Sequence, residues 1–251
     1  MTISEFGARN VPRSTQLLKG LQPQQIDLIL GAAKSRQYPP KSVMTHQSER
    51  ADCLFLLWKG RARFFMETPD GQKINLRWIT PGLIFGVMAL VPTPSAYLVS
   101  AEAVQESTVL FWDGRTIRDL ARRFASLFEN AFLICVEYLS WYVATHCALV
   151  SQTAHERLAH ILLGYAPSIG QKIPGGIELD VTNEELANAA NMSSYTASRL
   201  MSQWEKAGAI SKQRKKILLR SPEKLFGIVV SSRHPHSLLT GEVAETDWRQ
   251  Q

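Results

Sequence analysis

Seven basic side chains lie between Arg199 and Arg220, a segment in which the only acidic residue is Glu205. The 251-residue chain has a formal net charge of +6, so much of its positive excess is concentrated in this segment. Lysine and arginine at this density neutralise phosphates, and an arginine can also bind guanine through two hydrogen bonds. The segment therefore predicts a polyanionic partner. The seven residues are Arg199, Lys206, Lys212, Arg214, Lys215, Lys216 and Arg220.

The residues around this segment predict two short helices joined by a sharp turn. Thr182 and Glu185 have the spacing of a capping box, which begins a first helix near residue 183. Ser193 is a good N-cap for a second helix that ends near Lys206. Asn191 lies at the turn, where asparagine tolerates a left-handed backbone. Apolar residues at helical spacing predict the buried stripe of the second helix, namely Ala197, Leu200, Met201 and Trp204.

The opposite face of the second helix carries small polar, aromatic and basic side chains that can reach base edges and phosphates. After it, residues 209–211 and 217–219 predict two strands around a basic loop, 212–216, which we call the wing. A helical hairpin with a solvated face would explain any one of these features, but their order and spacing favour a winged helix-turn-helix that binds double-stranded DNA. The predicted DNA-contacting residues are Ser193, Ser194, Tyr195, Ser198, Arg199, Ser202, Lys206, Lys212, Arg214, Lys215 and Lys216.

The residues before this segment predict helices first and then a series of short strands. Residues 17–33 predict short helices, with Pro23 in a first helical turn. Short segments rich in β-branched and aromatic residues follow, separated by glycine and proline turns, and they predict a small antiparallel barrel or sandwich. These strand segments are residues 53–58, 62–67, 74–79 and 108–112. Residues 164–177 read as a loop before the helix-turn-helix.

Neither proline nor glycine occurs from Arg115 to Leu163, and a long helix is expected there. Apolar residues recur in it at alternating spacings of four and three, the period of a coiled-coil seam. The helix could pack on its own barrel, but a parallel two-helix homodimer explains this strict period better. The predicted seam is Phe132, Val136, Leu139, Val143, His146 and Val150.

Several classes of protein are disfavoured by what the sequence contains. Its three cysteines, Cys53, Cys135 and Cys147, are far apart, so buried free thiols are expected rather than a disulfide framework or zinc ligands, with a redox-sensing thiol as the alternative. Polar residues interrupt the longest apolar run, 131–150, and the N-terminus does not resemble a secretory signal, so a cytoplasmic protein without membrane contact is expected. The catalytic motifs of serine hydrolases, zinc proteases and P-loop enzymes do not occur, so an enzyme is not expected.

Residues 17 to about 226 resemble the Crp/Fnr superfamily of bacterial transcription regulators. The resemblance rests on LWKGRARFF, on PGLIFGVMAL, on the long helix and on TNEELANAANMSSYTASRLMSQWEKAGAI. It implies an α+β chain with a jelly roll of the cyclic-nucleotide-binding type over residues 1–114, a dimerisation helix over 115–152 and a winged helix-turn-helix over 153–230. The tail, 231–251, is expected to be disordered. The resemblance further implies a homodimer that binds a pseudo-palindromic site and contacts RNA polymerase.

The sequence departs from the family where its nucleotide-binding members hold the ligand. Those members carry a glutamate for the ribose hydroxyl and an arginine for the cyclic phosphate, and Val87 and Pro94 stand at the corresponding positions here. Because a buried phosphate needs a cationic partner, binding of cyclic AMP in the usual mode is not expected. A small apolar or aromatic effector, or none, is expected instead. The residues predicted to line an effector pocket are Phe85, Val87, Met88, Ser95, Ala96, Tyr97 and Tyr142.

Two further departures concern the signal and the DNA site. The iron–sulfur members use four cysteines, and three are too few for that cluster. A haem-based gas or redox sensor stays open as the alternative, with His46, His146 and Cys53 as axial-ligand candidates. In the second helix, Tyr195 replaces the glutamate of the E-x-x-S-R pattern seen in many relatives, so a different preferred base is expected at one position of the half-site.

Overall fold

The computed structural model describes residues 11–12, 15–69, 71, 73–93, 95–213 and 215–231. These residues form two compact units that meet at Leu139 and Ser140, within one long helix. Arg214, Pro94 and nearly all of the predicted tail lie outside the described residues.

The first unit is built on two four-stranded antiparallel sheets. One sheet has the strand order β1-β8-β3-β6, and the other has the order β2-β7-β4-β5. The strands predicted from the sequence agree with β3, β4, β5 and β8 to within one residue at each end, which confirms the β-rich fold expected of this part. The strands are β1 (Lys34–Tyr38), β2 (Val43–Thr45), β3 (Cys53–Lys59), β4 (Ala62–Glu67), β5 (Lys73–Ile79), β6 (Ile84–Phe85), β7 (Ser100–Ala103) and β8 (Ser107–Asp113).

Alternating side chains give this unit two cores, one on each face of the β1-β8-β3-β6 sheet. Phe55, Leu57 and Val109 face the second sheet and meet Phe64 and Ala101 from it. Leu54, Leu56, Leu110 and Trp112 face the other way, into a core made with the helices of the unit. The indole N–H of Trp112 donates to the carbonyl of Ile29 at 2.8 Å, which fixes the first helix against this sheet.

Helices cover the outer face of the β1-β8-β3-β6 sheet. They are a short 3₁₀ turn at Gln16–Leu18, α1 (Pro23–Gly31), α2 (Gly114–Arg123) and the first part of α3 (Ala125–Ser151). The stretch 115–152, predicted as one helix, is therefore two helices. The break is at Phe124, whose backbone leaves the helical region (φ −127°, ψ 88°) while its side chain packs against the helical core.

By length and composition, α3 is a helix that could cross a membrane, contrary to the expectation from the interrupted apolar run. The first half of α3 packs against protein, because Leu127, Ala131 and Ile134 are buried in the core beneath the sheet. Asn130 also donates from its amide to the carbonyls of Leu17 and Lys19 at 3.0 and 2.9 Å. The apolar residues of α3 therefore lie on two faces of the helix, and one of these faces packs within its own unit.

In its described residues, the second unit contains the end of α3, four further helices and one four-stranded sheet of order β11-β12-β10-β9. The stretch 164–177, predicted as a loop, is instead the end of α4 followed by a hairpin. Pro167 lies in the last turn of α4, where the helix is about to end, and Gly175 (φ 96°) allows the hairpin turn. The elements are α4 (Ala154–Ile169), β9 (Gln171–Ile173), β10 (Gly176–Leu179), α5 (Asn183–Ala189), α6 (Ser194–Lys206), β11 (Ile210–Gln213), β12 (Lys216–Leu219) and α7 (Pro222–Ser231).

Candidate nucleic-acid interface

The two helices expected from the capping pattern are α5 and α6. The backbone N–H of Thr182 donates to the Glu185 carboxylate at 2.8 Å, and the backbone N–H of Glu185 donates to the Thr182 hydroxyl at 3.1 Å. Ser193 caps α6 by accepting from the N–H of Thr196 at 3.1 Å. Asn191 in the turn has a φ of 48°, in the left-handed region. All three predictions for this turn are confirmed.

One face of α6 is fixed in the core of the second unit. Ala197, Leu200, Met201 and Trp204 are all buried, as the helical spacing predicts. The indole N–H of Trp204 donates to Nε2 of His155 on α4 at 2.8 Å. α6 is therefore held in the core both by apolar packing and by a directional hydrogen bond.

The other face of α6 is open to solvent. Tyr195 is 79% exposed, the largest exposed aromatic side chain on this helix. Small hydroxyl groups flank it, so the helix can approach another surface closely at its N-terminal end. The predicted contact residues that the structure leaves exposed here are Ser193, Ser194, Tyr195, Ser198, Arg199 and Lys206, whereas Ser202 is half-buried.

Arg157 of α4, which carried no prediction from the sequence, holds the turn between α5 and α6. Its Nε donates to the carbonyl of Ala190 at 2.8 Å, and one terminal nitrogen donates to that of Asn191 at 3.1 Å. The other terminal nitrogen donates to the carbonyl of Gln152, just beyond the end of α3, at 2.8 Å. Helix C-termini carry partial negative charge, so a guanidinium is well suited to join two of them. In the sequence, the role of Arg157 is marked only by its position directly after the Thr153–Glu156 capping box. Two of its three carbonyl partners, those of Ala190 and Asn191, are 33 and 34 residues away and give no local signal.

The wing is a tighter hairpin than the sequence indicates. Lys212 and Lys216, expected in a five-residue loop, lie in paired strands, with Gln213 opposite Lys216. Cross-strand pairing extends to these positions because Lys215 adopts a left-handed φ of 61°, which closes a short turn. Lys215 is exposed at the tip of this turn.

Two wing lysines have partners within the unit. The Lys216 ammonium lies 2.6 Å from the Glu178 carboxylate, and this hydrogen bond raises the pKa of Lys216. The Lys212 ammonium donates to the Ser202 hydroxyl at 2.9 Å and lies 3.3 Å from the Glu205 carboxylate. DNA contact by these two residues and by Ser202 stays a prediction, as it does for the exposed ones.

The predicted seam of α3 is exposed along its whole length in the protomer. Phe132 and Leu139 are 61% and 63% exposed, and Val150 is 76% exposed. His146 is exposed as well, and so are Val136 and Val143. Six seam positions of one helix, five of them apolar, are therefore left uncovered by the part of the chain that the structure describes.

The predicted effector residues do not form one group. Phe85 and Tyr97 lie in the core between the two sheets, where the Phe85 ring stacks on Phe55 with centroids 4.7 Å apart. Val87 instead packs against the helical core. It follows Gly86, where glycine is needed because φ is 76° and because a Cβ would collide with the Cys53 carbonyl. Met88 is in the same 3₁₀ turn, Val87–Leu90.

The backbones of Ser95 and Ala96 pair with the loop that contains Arg50 and Ala51. The carbonyl of Ser95 accepts from the N–H of Ala51 at 2.7 Å, and Ala96 forms a bridge with Arg50. Burial raises the pKa of Tyr97 to about 12, and its hydroxyl donates to the Cys53 carbonyl at 3.3 Å.

Tyr138 of α3, which the sequence did not single out, reaches the aromatic core between the sheets. Its hydroxyl donates to the Ile84 carbonyl at 2.8 Å, and its ring lies edge-on to Phe64. The ring of Tyr142, in the second unit, packs against Trp141, and its role in an effector pocket stays a prediction.

The candidate haem ligands do not converge on a site within one unit. His46 is exposed in the first unit and His146 is exposed in the second. Burial raises the pKa of the Cys53 thiol, which disfavours the thiolate form that binds iron. Among the described residues, no three histidine, cysteine, aspartate or glutamate side chains are grouped as a metal site.

Comparison with known proteins matches both units. The model of the cyclic nucleotide-binding domain covers residues 35–124, and that of the Crp-like helix-turn-helix domain covers residues 156–227. The cyclic AMP receptor protein of Thermus thermophilus is 26% identical over 198 residues, which is 79% of this chain and 89% of the relative. A CRP-like cAMP-activated global transcriptional regulator of Mycobacterium tuberculosis is 21% identical over 83% of this chain and 94% of the relative.

Solved structures agree on the fold. FixK2 from Bradyrhizobium japonicum superposes with a TM-score of 0.68 at 20% identity, over 78% of this chain and 96% of that one. CooA from Carboxydothermus hydrogenoformans gives 0.66 at 22% identity, over 79% and 88%. With both domain models matched in this order, the chain belongs to the Crp/Fnr family of DNA-binding transcription regulators.

Proposed function

We propose that the protein acts as a homodimer in which α6 of each protomer reads one half of a pseudo-palindromic site in the major groove of DNA. The observation that carries this proposal is the division of α6 into a buried apolar face and an exposed polar one. A helix of this kind fits the major groove, and a two-fold pair would span half-sites about 34 Å apart.

The exposed face suggests which groups read bases. Arg199 can bind guanine with two hydrogen bonds, and the Ser198 hydroxyl can donate or accept beside it. Tyr195 has no carboxylate to accept from a cytosine amino group, so its ring would contact a thymine methyl group or its hydroxyl a phosphate. Lys206 and Lys215 are exposed cations suited to phosphates, which position the protein without reading sequence.

Dimerisation through α3 is supported by the exposed seam. The buried residues of the first half of α3, such as Ala131 and Ile134, belong to a different set of positions from the seam. Apolar side chains repeating every 3.5 residues on an open helix face match the knobs of a parallel two-stranded coiled coil. A second copy of the same helix covers such a face symmetrically.

As a transcription regulator, the protein would work in the cytoplasm and contact RNA polymerase from its promoter site. The relatives from Thermus thermophilus and Mycobacterium tuberculosis are named as a cyclic AMP receptor and a cAMP-activated regulator. In this chain, however, Val87 offers no acceptor to a ribose hydroxyl and packs toward the helical core. We therefore propose an activity that does not depend on cyclic AMP in the usual mode. Either a small apolar or aromatic effector enters the space between the sheets, or the protein acts without one.

The test is a selection of random duplexes by the purified protein, with and without cell extract, followed by sequencing. Enrichment of a two-fold palindrome without extract supports a dimeric regulator that needs no added effector. Enrichment only with extract shows that an effector is required, and adding cyclic AMP alone then tests the usual mode. Failure to enrich any sequence under either condition overturns sequence-specific binding.

A further inference from the structure

Lys212 is bound to α6 through both its backbone and its side chain. Its backbone N–H donates to Oε1 of Glu205 at 2.8 Å, while its ammonium lies 3.3 Å from Oε2 of the same carboxylate. The ammonium also donates to Ser202, whose hydroxyl in turn donates to the carbonyl of Ser198 at 2.8 Å. Lys212 is thus held by α6 at both its backbone and its side chain.

These contacts connect the first strand of the wing to the DNA-facing helix. Ser198 and Ser202 are one turn apart on α6, and Glu205 is three residues further along. The Lys212 side chain is 32% exposed and that of Glu205 is 38% exposed, so neither is fully solvated. The hydrogen bond from the Lys212 N–H, with the ammonium, lowers the pKa of Glu205 and keeps it charged.

We propose that Glu205, Lys212 and Ser202 form a clamp that sets the position of the wing relative to α6, and that Lys212 is a positioning residue for DNA binding. This proposal rests on the proposed function, because it concerns how two DNA-contacting elements are held in register. The clamp explains why a carboxylate lies inside the basic segment 199–220, where it would otherwise repel phosphates. It leaves Lys215 at the hairpin tip as the wing lysine that reaches the DNA backbone.

The clamp and a simple charge effect predict opposite results for Glu205→Ala. Removing a negative charge near the DNA should tighten binding to every sequence if charge alone matters. Loss of the clamp should instead weaken binding to the selected site about 5- to 20-fold, while binding to random duplex changes less than 3-fold. The matched control is Glu184→Ala, which removes an exposed carboxylate from neighbouring α5 and should not weaken specific binding.

Lys212→Met provides the second arm. If Lys212 binds a phosphate, the slope of log affinity against log salt should fall by about 0.9 for each protomer, as expected for Lys215→Ala. If it belongs to the clamp, the slope should stay unchanged and the selected site should be weakened as much as by Glu205→Ala. The double variant should then be no weaker than either single one, and Lys212→Arg should restore most of the affinity.

The measurement is fluorescence anisotropy with the selected duplex and a random duplex at several salt concentrations. Calorimetry checks that each variant is folded, and if Glu205→Ala unfolds, the Lys212→Met arm decides alone. Tighter DNA binding by Glu205→Ala, or a reduced salt slope for Lys212→Met, overturns the clamp. If the wild-type protein itself does not prefer the selected duplex, the proposed function has failed instead.

Discussion

Replacing Arg157 by methionine should destabilise the second unit. Met retains much of the aliphatic length of Arg157 but removes the donors to the carbonyls of Gln152, Ala190 and Asn191. A typical hydrogen bond contributes about 0.5–1.5 kcal/mol net, and these three are only partly shielded from water, which favours the lower half of that range. We therefore expect a loss of about 2 kcal/mol in the free energy of unfolding of this unit.

Differential scanning calorimetry measures this loss. In a domain of 60–100 residues, about 1 kcal/mol shifts Tm by roughly 4–8 °C, so the transition of the second unit should fall by about 8–16 °C. Arg157→Lys keeps the charge but cannot reach three carbonyls, and it should recover less than half of the loss. Arg220→Met makes the same chemical change at an exposed position of the same unit and should shift Tm by less than about 3 °C.

The reasoning about Arg157 is refuted if Arg157→Met and Arg220→Met unfold at the same temperature. It is also refuted if Arg157→Lys is as stable as the wild-type protein, since the charge alone would then be sufficient. A shift confined to the first unit would mean that the carbonyl contacts do not stabilise the helix-turn-helix.

Three further predictions follow from particular contacts. Leu139→Lys places a charge in the exposed seam and should yield monomers by light scattering, whereas a dimer of unchanged mass would mean that the seam does not form the interface. Burial alone would raise the pKa of Glu102, but hydrogen bonds from Lys73 and Arg63 lower it below the usual 4.5. A carboxylate whose pKa is lower in the folded than in the unfolded protein stabilises the fold at pH values above its unfolded-state pKa. This stabilisation should be lost as pH falls below about 4.5. Glu102→Gln should therefore flatten that part of the profile of unfolding free energy against pH, measured by chemical unfolding. Asn191→Gly should change Tm by less than about 3 °C, because glycine accepts the φ of 48°. Asn191→Val should lower the free energy of unfolding by about 1–2 kcal/mol, measured by the same calorimetry. Equal stability of the two variants would contradict a requirement for a left-handed backbone at this position.

The sequence predicts best what local chemistry decides. The capping box at Thr182, the N-cap at Ser193 and the stripe ending at Trp204 depend on residues within one or two helical turns, and all agree with the structure. Four strands of the first unit, β3, β4, β5 and β8, are likewise predicted by short β-branched and aromatic runs between turns. A winged helix-turn-helix can therefore be inferred from the local sequence alone.

What the sequence does not predict depends on contacts between distant segments. Arg157 finds carbonyls 33 and 34 residues away, and the Lys212 backbone finds Glu205 only after the wing folds back onto α6. The break at Phe124, where a half-buried ring packs against the helical core, has no signal among the helix-forming residues on either side.

The most direct test of the central claim, that α6 reads DNA sequence, repeats the duplex selection with Arg199→Ala beside the wild-type protein. The account predicts that both enrich a palindrome, that the variant loses its preference at one base pair in each half-site, and that its affinity for the wild-type site falls by about 1–3 kcal/mol. An Arg199→Ala variant with the wild-type base preference and affinity would contradict the placement of the reading face on this helix.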